Sequence, residues 1–278
     1  MAADSTGPRP LYRFRTHPWK LRRGSSQSPP PMCRSTAFTE EQYAQPAPDG
    51  CQDNFWHQAR NRIVWSKLTT VLGRNDKVLD IGCGRGVVVQ FLRNMGVDCE
   101  GVDIGSPTPV SRGVAPHLRL GISAFDLPSA IREGCGAILL LDVLEHLPAP
   151  SNFLRESERW FPNIKSVLVT VPARMELWSN YDSYYGHCRR YSLHDIAGVA
   201  EGTNLRLESG GYFFHSLYAG ALLLRLLGRD RSTRVPAPAV PMAHRAVGNL
   251  LAWEEAVTPS FVPGASLYAL FRKGRDGA

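Results

Sequence analysis

The chain has 278 residues, 43% hydrophobic and 21% charged, which is ample for a buried core in one large domain or two small ones and excludes a fibrous or wholly unstructured protein. Formal net charge is +7, yet residues 1–36 hold seven basic side chains against Asp4 alone, while the remainder carries 25 basic and 24 acidic ones. The basic excess therefore belongs to the N-terminal segment and gives no support for a nucleic-acid groove on the folded body.

Residues 1–36 mix arginine, proline and serine, and such a segment buries too little apolar area to offset its own ordering, so a disordered basic tail is expected. Its composition is like that of an organelle transit peptide, but the prolines interrupt any long amphipathic helix, and Met32 opens a more ordinary sequence. The six cysteines, at 33, 51, 83, 99, 135 and 188, include no Cys-x-x-Cys pair. They form neither a disulfide framework nor a zinc site, and reduced thiols in a cytoplasmic protein are expected. No apolar run approaches the ~20 residues needed to span a bilayer. The longest, Leu217 to Leu227, is broken by Arg225.

From Asn54 to Leu72 an apolar stripe of Ile63, Val64, Leu68, Val71 and Leu72 predicts a helix. Its opening, Phe55-Trp56-His57-Gln58-Ala59-Arg60, either packs on a sheet edge or closes over a ligand pocket. Lys77 to Ile81 then reads as a buried parallel strand. It runs into Gly82-Cys83-Gly84-Arg85-Gly86 and a helix over Val87 to Met95 stopped by Gly96. A strand, a glycine loop and a helix N-terminus make a ligand pocket at the carboxyl end of a parallel sheet. The spacing Asp-x-Gly-x-Gly-x-Gly departs from the Gly-x-Gly-x-x-Gly of dinucleotide-binding proteins.

A second strand is predicted over Asp98 to Val102, ending in Asp103, and a third over Leu118 to Ile122, followed by Asp126-Leu127-Pro128. Ala137 to Leu141 and Val167 to Val171 make the fourth and fifth. Between them lies an amphipathic helix from Pro150 to Trp160, with Phe153, Leu154 and Trp160 inward. This alternation predicts a doubly wound α/β sheet. Ala173 to Ser192 is a polar, aromatic loop of the length usually reserved for function. A short helix over His194 to Glu201, a sixth strand over Leu205 to Phe214, helices over Ser216 to Leu227 and Met242 to Val257, and a last strand over Ser266 to Arg272 complete the pattern.

The run Val78-Leu79-Asp80-Ile81-Gly82-Cys83-Gly84-Arg85-Gly86, then Leu141-Asp142-Val143-Leu144-Glu145-His146-Leu147 and Thr170-Val171-Pro172, resembles the class I S-adenosylmethionine-dependent methyltransferases over about residues 38–273. The segment Leu177-Trp178-Ser179, Asp182 and Gly186 to Tyr191 is similar to a bacterial subgroup of these enzymes. The resemblance implies a Rossmann-like, doubly wound seven-stranded sheet, its last strand antiparallel beside the fifth. The methyltransferase domain would occupy 37–278, with a helical insertion or lid at 215–258 between the last two strands. It implies S-adenosyl-L-methionine as cofactor. Gly82, Gly84 and Gly86 would lie against its methionine part and Asp80 near its amino group. Asp103 would accept from both ribose hydroxyls, and Asp126 from the adenine amino group with the Leu127 backbone beside it. Helix capping by Asp103 and a simple turn at Asp126 are the alternatives.

An alcohol or phenol acceptor must lose a proton, so a histidine beside the methyl group is useful. His187 and His146 are the catalytic candidates, His146 alternatively bonding to nearby backbone. Arg189 and Arg190 would grip an anionic acceptor or pair with surface acids. Asp142, Glu145 and His146, at i, i+3 and i+4, would share one helical face. A similar Glu-x-x-Glu-His in quinone-pathway O-methyltransferases resembles a divalent-metal site. Here the first position is Asp, a helix cap is the alternative, and no metal is expected. The function expected is O-methylation of a small-molecule, glycan or lipid-linked acceptor; the first insertion helix either packs against the second, with Leu250, Leu251 and Trp253 as partners, or docks peripherally on a membrane surface. The rivals are a non-catalytic cofactor-binding partner and an NAD(P) oxidoreductase.

Overall fold

A computed structural model of the chain describes residues 38–274 apart from 234, 236 and 237. The expected disordered tail at 1–36 lies outside the described residues. A short helix, α1 (Glu40–Ala44), opens on a capping box in which Thr39 and Gln42 each bond the other's backbone N–H. Asn54 caps the next helix, α2 (Phe55–Leu68), through the Trp56 N–H. This helix stops before the predicted Leu72 because the Thr69 and Thr70 hydroxyls turn back to the carbonyls of Ser66 and Lys67.

The sheet then builds in the expected rhythm. β1 (Lys77–Ile81) leads into α3 (Val87–Asn94), β2 (Cys99–Asp103) and β3 (Leu118–Leu120). After α4 (Ser129–Gly134) come β4 (Cys135–Leu141), α5 (Pro150–Trp160) and β5 (Ser166–Pro172). Short helices α6 (Asn180–Tyr184) and α7 (Leu193–Gly198) precede β6 (Leu205–Phe213). The insertion α8 (His215–Leu226) and α9 (Pro241–Val257) separates β6 from β7 (Ser266–Lys273). Strand order is β3-β2-β1-β4-β5-β7-β6, with β7 antiparallel to both neighbours and every other pair parallel. The seven-stranded fold expected from the sequence is the one observed.

Alternation along the strands divides the interior in two. Leu79, Ile81, Ile138, Leu140, Val167 and Val169 face one core, with Leu154 of α5 and Ile196 of α7. Val78, Ala137, Leu139 and Leu168 face the other, with Val64 and Leu68 of α2 and Val88, Val89 and Leu92 of α3. Both faces are covered, which is why β4 and most of β5 are apolar at every position.

Two inward assignments fail. Trp160 is an exposed side chain that lies 4.6 Å from the Arg132 guanidinium, because it sits at the last turn of α5 beyond the core. In the insertion, Leu251 is buried but Leu250 and Trp253 are about 60% exposed, so they do not pack between the two helices.

The chain runs outward from β1 to β3 and then returns to β4, so the crevice at the carboxyl ends of β1 and β4 is the topological switch point. Gly82 stands there at φ 80°, and a Cβ on it would come within 2.6 Å of the Val143 side chain after β4. Gly96 has φ 83° and open space around it. Gly96→Ala is therefore expected to cost about 1 kcal/mol, the left-handed strain alone, and Gly82→Ala about 2–4 kcal/mol with the overlap added. Urea denaturation of the two variants checks the difference.

Candidate active site

The glycine loop packs tightly against the sheet. The N–H groups of Gly82 and Cys83 both reach the Val102 carbonyl, at 2.8 and 3.2 Å. Gly82, Gly84 and Gly86 all have positive φ, which only glycine adopts without strain. A Cβ on Gly86 would strike Leu118, whereas one on Gly84 would meet only the Tyr43 ring at ordinary contact distance. Gly82 and Gly86 thus serve close packing within the protein, and Gly84 faces the crevice. Arg85 anchors the loop: it is buried and donates to the carbonyls of Thr108 and Ala47 and to Asp49 Oδ1.

Asp80, next to last in β1, is wholly buried, with Oδ1 lacking any hydrogen-bond partner. Burial pushes its pKa up to about 7; the Arg60 guanidinium opposes this, and Asp103 and Asp142 add to it. An orphaned carboxyl oxygen beside a glycine loop is a socket for a cation. The free cofactor's ammonium, placed here by the family resemblance, has the matching charge.

Asp103 ends β2, also buried. Its Oδ1 accepts from the Tyr43 hydroxyl at 2.6 Å and the Gly105 N–H at 2.8 Å, and Oδ2 accepts from the Gly84 N–H at 2.9 Å. A carboxylate has about four lone-pair sites, so three donors leave room for one more. Receiving both ribose hydroxyls requires Tyr43 to withdraw. Asp126 is exposed in a single turn over Ala124–Asp126 that Ser123 caps, and Leu127 beside it is buried in the core.

Arg60 is the buried cation of α2. Its Nη1 pairs with Asp142 Oδ2 at 2.6 Å and its guanidinium lies 4.6 Å from the Trp56 ring. The helix packs on the sheet through Val64 and Leu68, as the first of the two expectations has it, and also sends a buried cation and an aromatic toward the end of β4. Asp142 does not cap a helix: it has φ 58°, pairs with Arg60 and accepts from the Thr170 hydroxyl at 3.4 Å. Leu144–His146 is a single tight turn, so Asp142, Glu145 and His146 do not share a helical face. Instead Glu145, His146 and His187 bring ligand-type atoms within 4.8 Å of one another. Burial raises the Glu145 carboxyl well above its ordinary pKa, and its Oε2 has no partner. Burial and the neighbouring His187 lower His146 to about 3, while the Tyr185 and Gly186 backbone hydrogen-bonds it.

His187 lies in the aromatic loop with its Nδ1 2.8 Å from Asp182 Oδ1. Asp182 is fully buried and gathers that loop: Ser179 donates its N–H and hydroxyl to Oδ2, and Arg190 donates to both oxygens at 2.8 and 3.0 Å. Burial alone would raise this carboxyl, but the bonds from His187 and Arg190 hold it well below the usual range. Arg190 is therefore committed internally and also donates to the Ala173 carbonyl, while Arg189 reaches the Pro148 carbonyl. The expected pair of anion-gripping or surface-paired arginines is corrected: one of them pins the histidine's partner.

Sequence reasoning missed Tyr43 and Arg85. Tyr43 lies 60 residues from Asp103, a separation that leaves no local spacing to read. Its helix spans the crevice, since Gln42 also donates to the Tyr184 carbonyl and Phe38 stacks edge-on to His146 at 5.0 Å.

Because Asp80 takes up its proton near pH 7, binding of a cationic amino group is expected to strengthen as pH rises from 6 to 8 and the carboxyl ionises. Asp80→Asn is expected to weaken S-adenosylmethionine binding roughly 10- to 100-fold and to flatten that dependence. Isothermal titration across this pH range measures both.

Among curated proteins, the ubiquinone biosynthesis O-methyltransferase of Pseudomonas syringae pv. tomato is 34% identical over 106 residues, 35% of this chain and 44% of that protein. Its counterpart from Pseudomonas fluorescens is 34% identical over 102 residues, 34% and 43% of the two chains. The chain thus spans less than half the length of these curated relatives. The crystal structure of geranyl diphosphate C-methyltransferase from Streptomyces coelicolor, in complex with Mg2+, geranyl diphosphate and S-adenosyl-L-homocysteine, superposes with TM-score 0.52. It shares 13% identity over 78% of this chain and 79% of that one, a likeness of fold. A family profile described as methyltransferase domain matches residues 55–210, from the first turn of α2 into β6 and more than half of the chain. With that match, the glycine loop and the acids near the ends of β1 and β2, the chain belongs to the class I S-adenosylmethionine-dependent methyltransferases.

Proposed function

We propose that this protein transfers the methyl group of S-adenosylmethionine to a hydroxyl oxygen of a small-molecule acceptor, with His187 as the general base. The observation that carries this reading is the Asp182–His187 pair at the carboxyl edge. A carboxylate on Nδ1 fixes the ring and stabilises the imidazolium that forms when Nε2 takes the acceptor's proton. Methyl transfer from a sulfonium is an in-line displacement with the leaving group already activated, so alignment can supply roughly 7–11 kcal/mol of the barrier. Asp80, Asp103 and the glycine loop would hold the cofactor for that alignment, with Asp126 and Leu127 at the adenine end. Phe38, Tyr181 and Tyr185, whose rings gather around His146 and His187, offer apolar walls for an aromatic acceptor. The partial likeness to ubiquinone biosynthesis O-methyltransferases supports an oxygen acceptor. A lipid-linked acceptor is the finer reading, supported by the apolar outer faces of α8 and α9. The nicotinamide alternative loses its ground with the family membership.

A second reading of the same cluster rests on the unpartnered Glu145 Oε2. Glu145, His146 and His187 would hold a divalent cation, which supplies Lewis acidity to an acceptor oxygen. Metal content of the purified protein, measured before and after chelation, separates the two.

His187→Ala is expected to lower kcat about 10²- to 10⁴-fold while leaving cofactor affinity unchanged. S-adenosylhomocysteine formation with a panel of phenols and catechols provides the assay. Part of the rate should return at high pH, where the acceptor ionises unaided. Product formation at the wild-type rate by the variant would remove His187 from the chemistry. No product from the wild type with any acceptor would favour a non-catalytic binding protein.

A further inference from the structure

Of the 17 large hydrophobic side chains exposed on the described residues, 11 fall between Leu223 and Phe261, in or beside the insertion. Their placement on the helices is ordered. In α9, Gly248 and Leu251 are buried, and Glu255 turns inward to pair with Lys67 of α2 at 2.7 Å. The opposite arc carries Met242, Val247, Leu250, Trp253 and Val257, all exposed. The one charge within that arc, Glu254, is spent on capping α8 through the N–H groups of His215 and Ser216. In α8, Leu217, Tyr218 and Leu222 are half-buried, while Leu223, Leu224, Leu226 and Leu227 point away from the protein. Two adjoining helices thus present outward faces that hold no free charge.

The rim of these faces is basic. Arg225, Arg229, Arg231 and Arg245 are exposed there against a single exposed acid, Asp230. Apolar helix faces with a tryptophan and a basic border match a helix lying in the interface of an anionic bilayer. A second copy of the chain fits less well, since a twofold contact would set the same arginines against each other. Among the described residues no helix is long and apolar enough to cross a membrane, so the contact is one of lying on the surface.

The location gives this surface a use. β6 runs parallel to β1, so the insertion leaves the sheet at the carboxyl edge, where the glycine loop and His187 lie. Its connecting loop is fastened to the aromatic loop: Asn180 and Arg231 exchange two hydrogen bonds, Arg231 stacks 4.5 Å from the Tyr181 ring, and Tyr185 donates to the Thr233 carbonyl. We propose that α8 and α9 seat the enzyme on an anionic phospholipid surface through their outer faces and bring the acceptor side of the site to the lipid headgroups. This docking does not depend on the base assigned to the reaction.

The test is co-sedimentation of the full chain with phosphatidylcholine vesicles containing phosphatidylglycerol, at low and moderate salt. The wild type is compared with Leu250→Gln/Trp253→Gln. Both proteins keep the same basic N-terminal segment, so a difference reads α9. The wild type is expected to pellet with the anionic vesicles and the variant at least fivefold less. Circular dichroism and S-adenosylmethionine affinity should match in the two, and methylation of a water-soluble phenol should be equal. Equal pelleting of both proteins overturns the proposal, as does a wild type that stays in the supernatant, whether light scattering finds it monomeric or dimeric.

Discussion

Three carboxyl groups converge at the ends of neighbouring strands with one guanidinium among them. Asp80 feels the charges of Asp103 and Asp142, and Arg60 alone opposes them. Like charges held this close and out of water cannot all ionise without a counter-charge. The fold tolerates the arrangement because Arg60 is committed to Asp142, Asp103 takes three donors, and Asp80 stays near its midpoint of protonation at neutral pH. A ligand bringing a sulfonium and an ammonium to these acids, as proposed for the cofactor, would add the missing positive charge.

The acceptor side follows a different principle. One of its carboxylates is already balanced: Asp182 is buried among an arginine, a histidine and the N-terminus of its own short helix. This buried network lets a loop of twenty residues behave as a fixed wall. Breaking one partner would leave a charge stranded in the interior, so the network holds together or fails as a unit.

The fold was legible because its signals are local and periodic. Every strand and both insertion helices lay within a few residues of their predicted bounds, since unbroken apolar runs such as Cys135–Leu141 and glycine punctuation leave few alternatives. The acids at the strand ends were legible for the same reason. What the sequence did not disclose is pairing over distance. Tyr43 on Asp103, Arg60 on Asp142 and Lys67 on Glu255 join residues far apart in the chain, and no spacing encodes them. The Asp142 prediction failed because a helical period was assumed across a stretch that makes one tight turn. Arg190 was misread because a charged side chain in a loop is usually a surface feature, and burial is invisible until the loop is folded.

The Tyr43 hydroxyl occupies the oxygen on which an incoming ribose would rest, and its ring covers Gly84 and Gly105. If the ribose binds there as proposed, the protein carries its own placeholder for the ligand. Trading one hydroxyl for another would change the number of hydrogen bonds on Asp103 little, so entry of a ribose would be close to neutral at that point. With Tyr43 in place Asp103 keeps three donors, and entry of a ribose there would require the detachment of a five-residue helix held by its cap, by Gln42 and by Phe38. Residence time on the enzyme would then depend on that small helix as much as on the pocket beneath it.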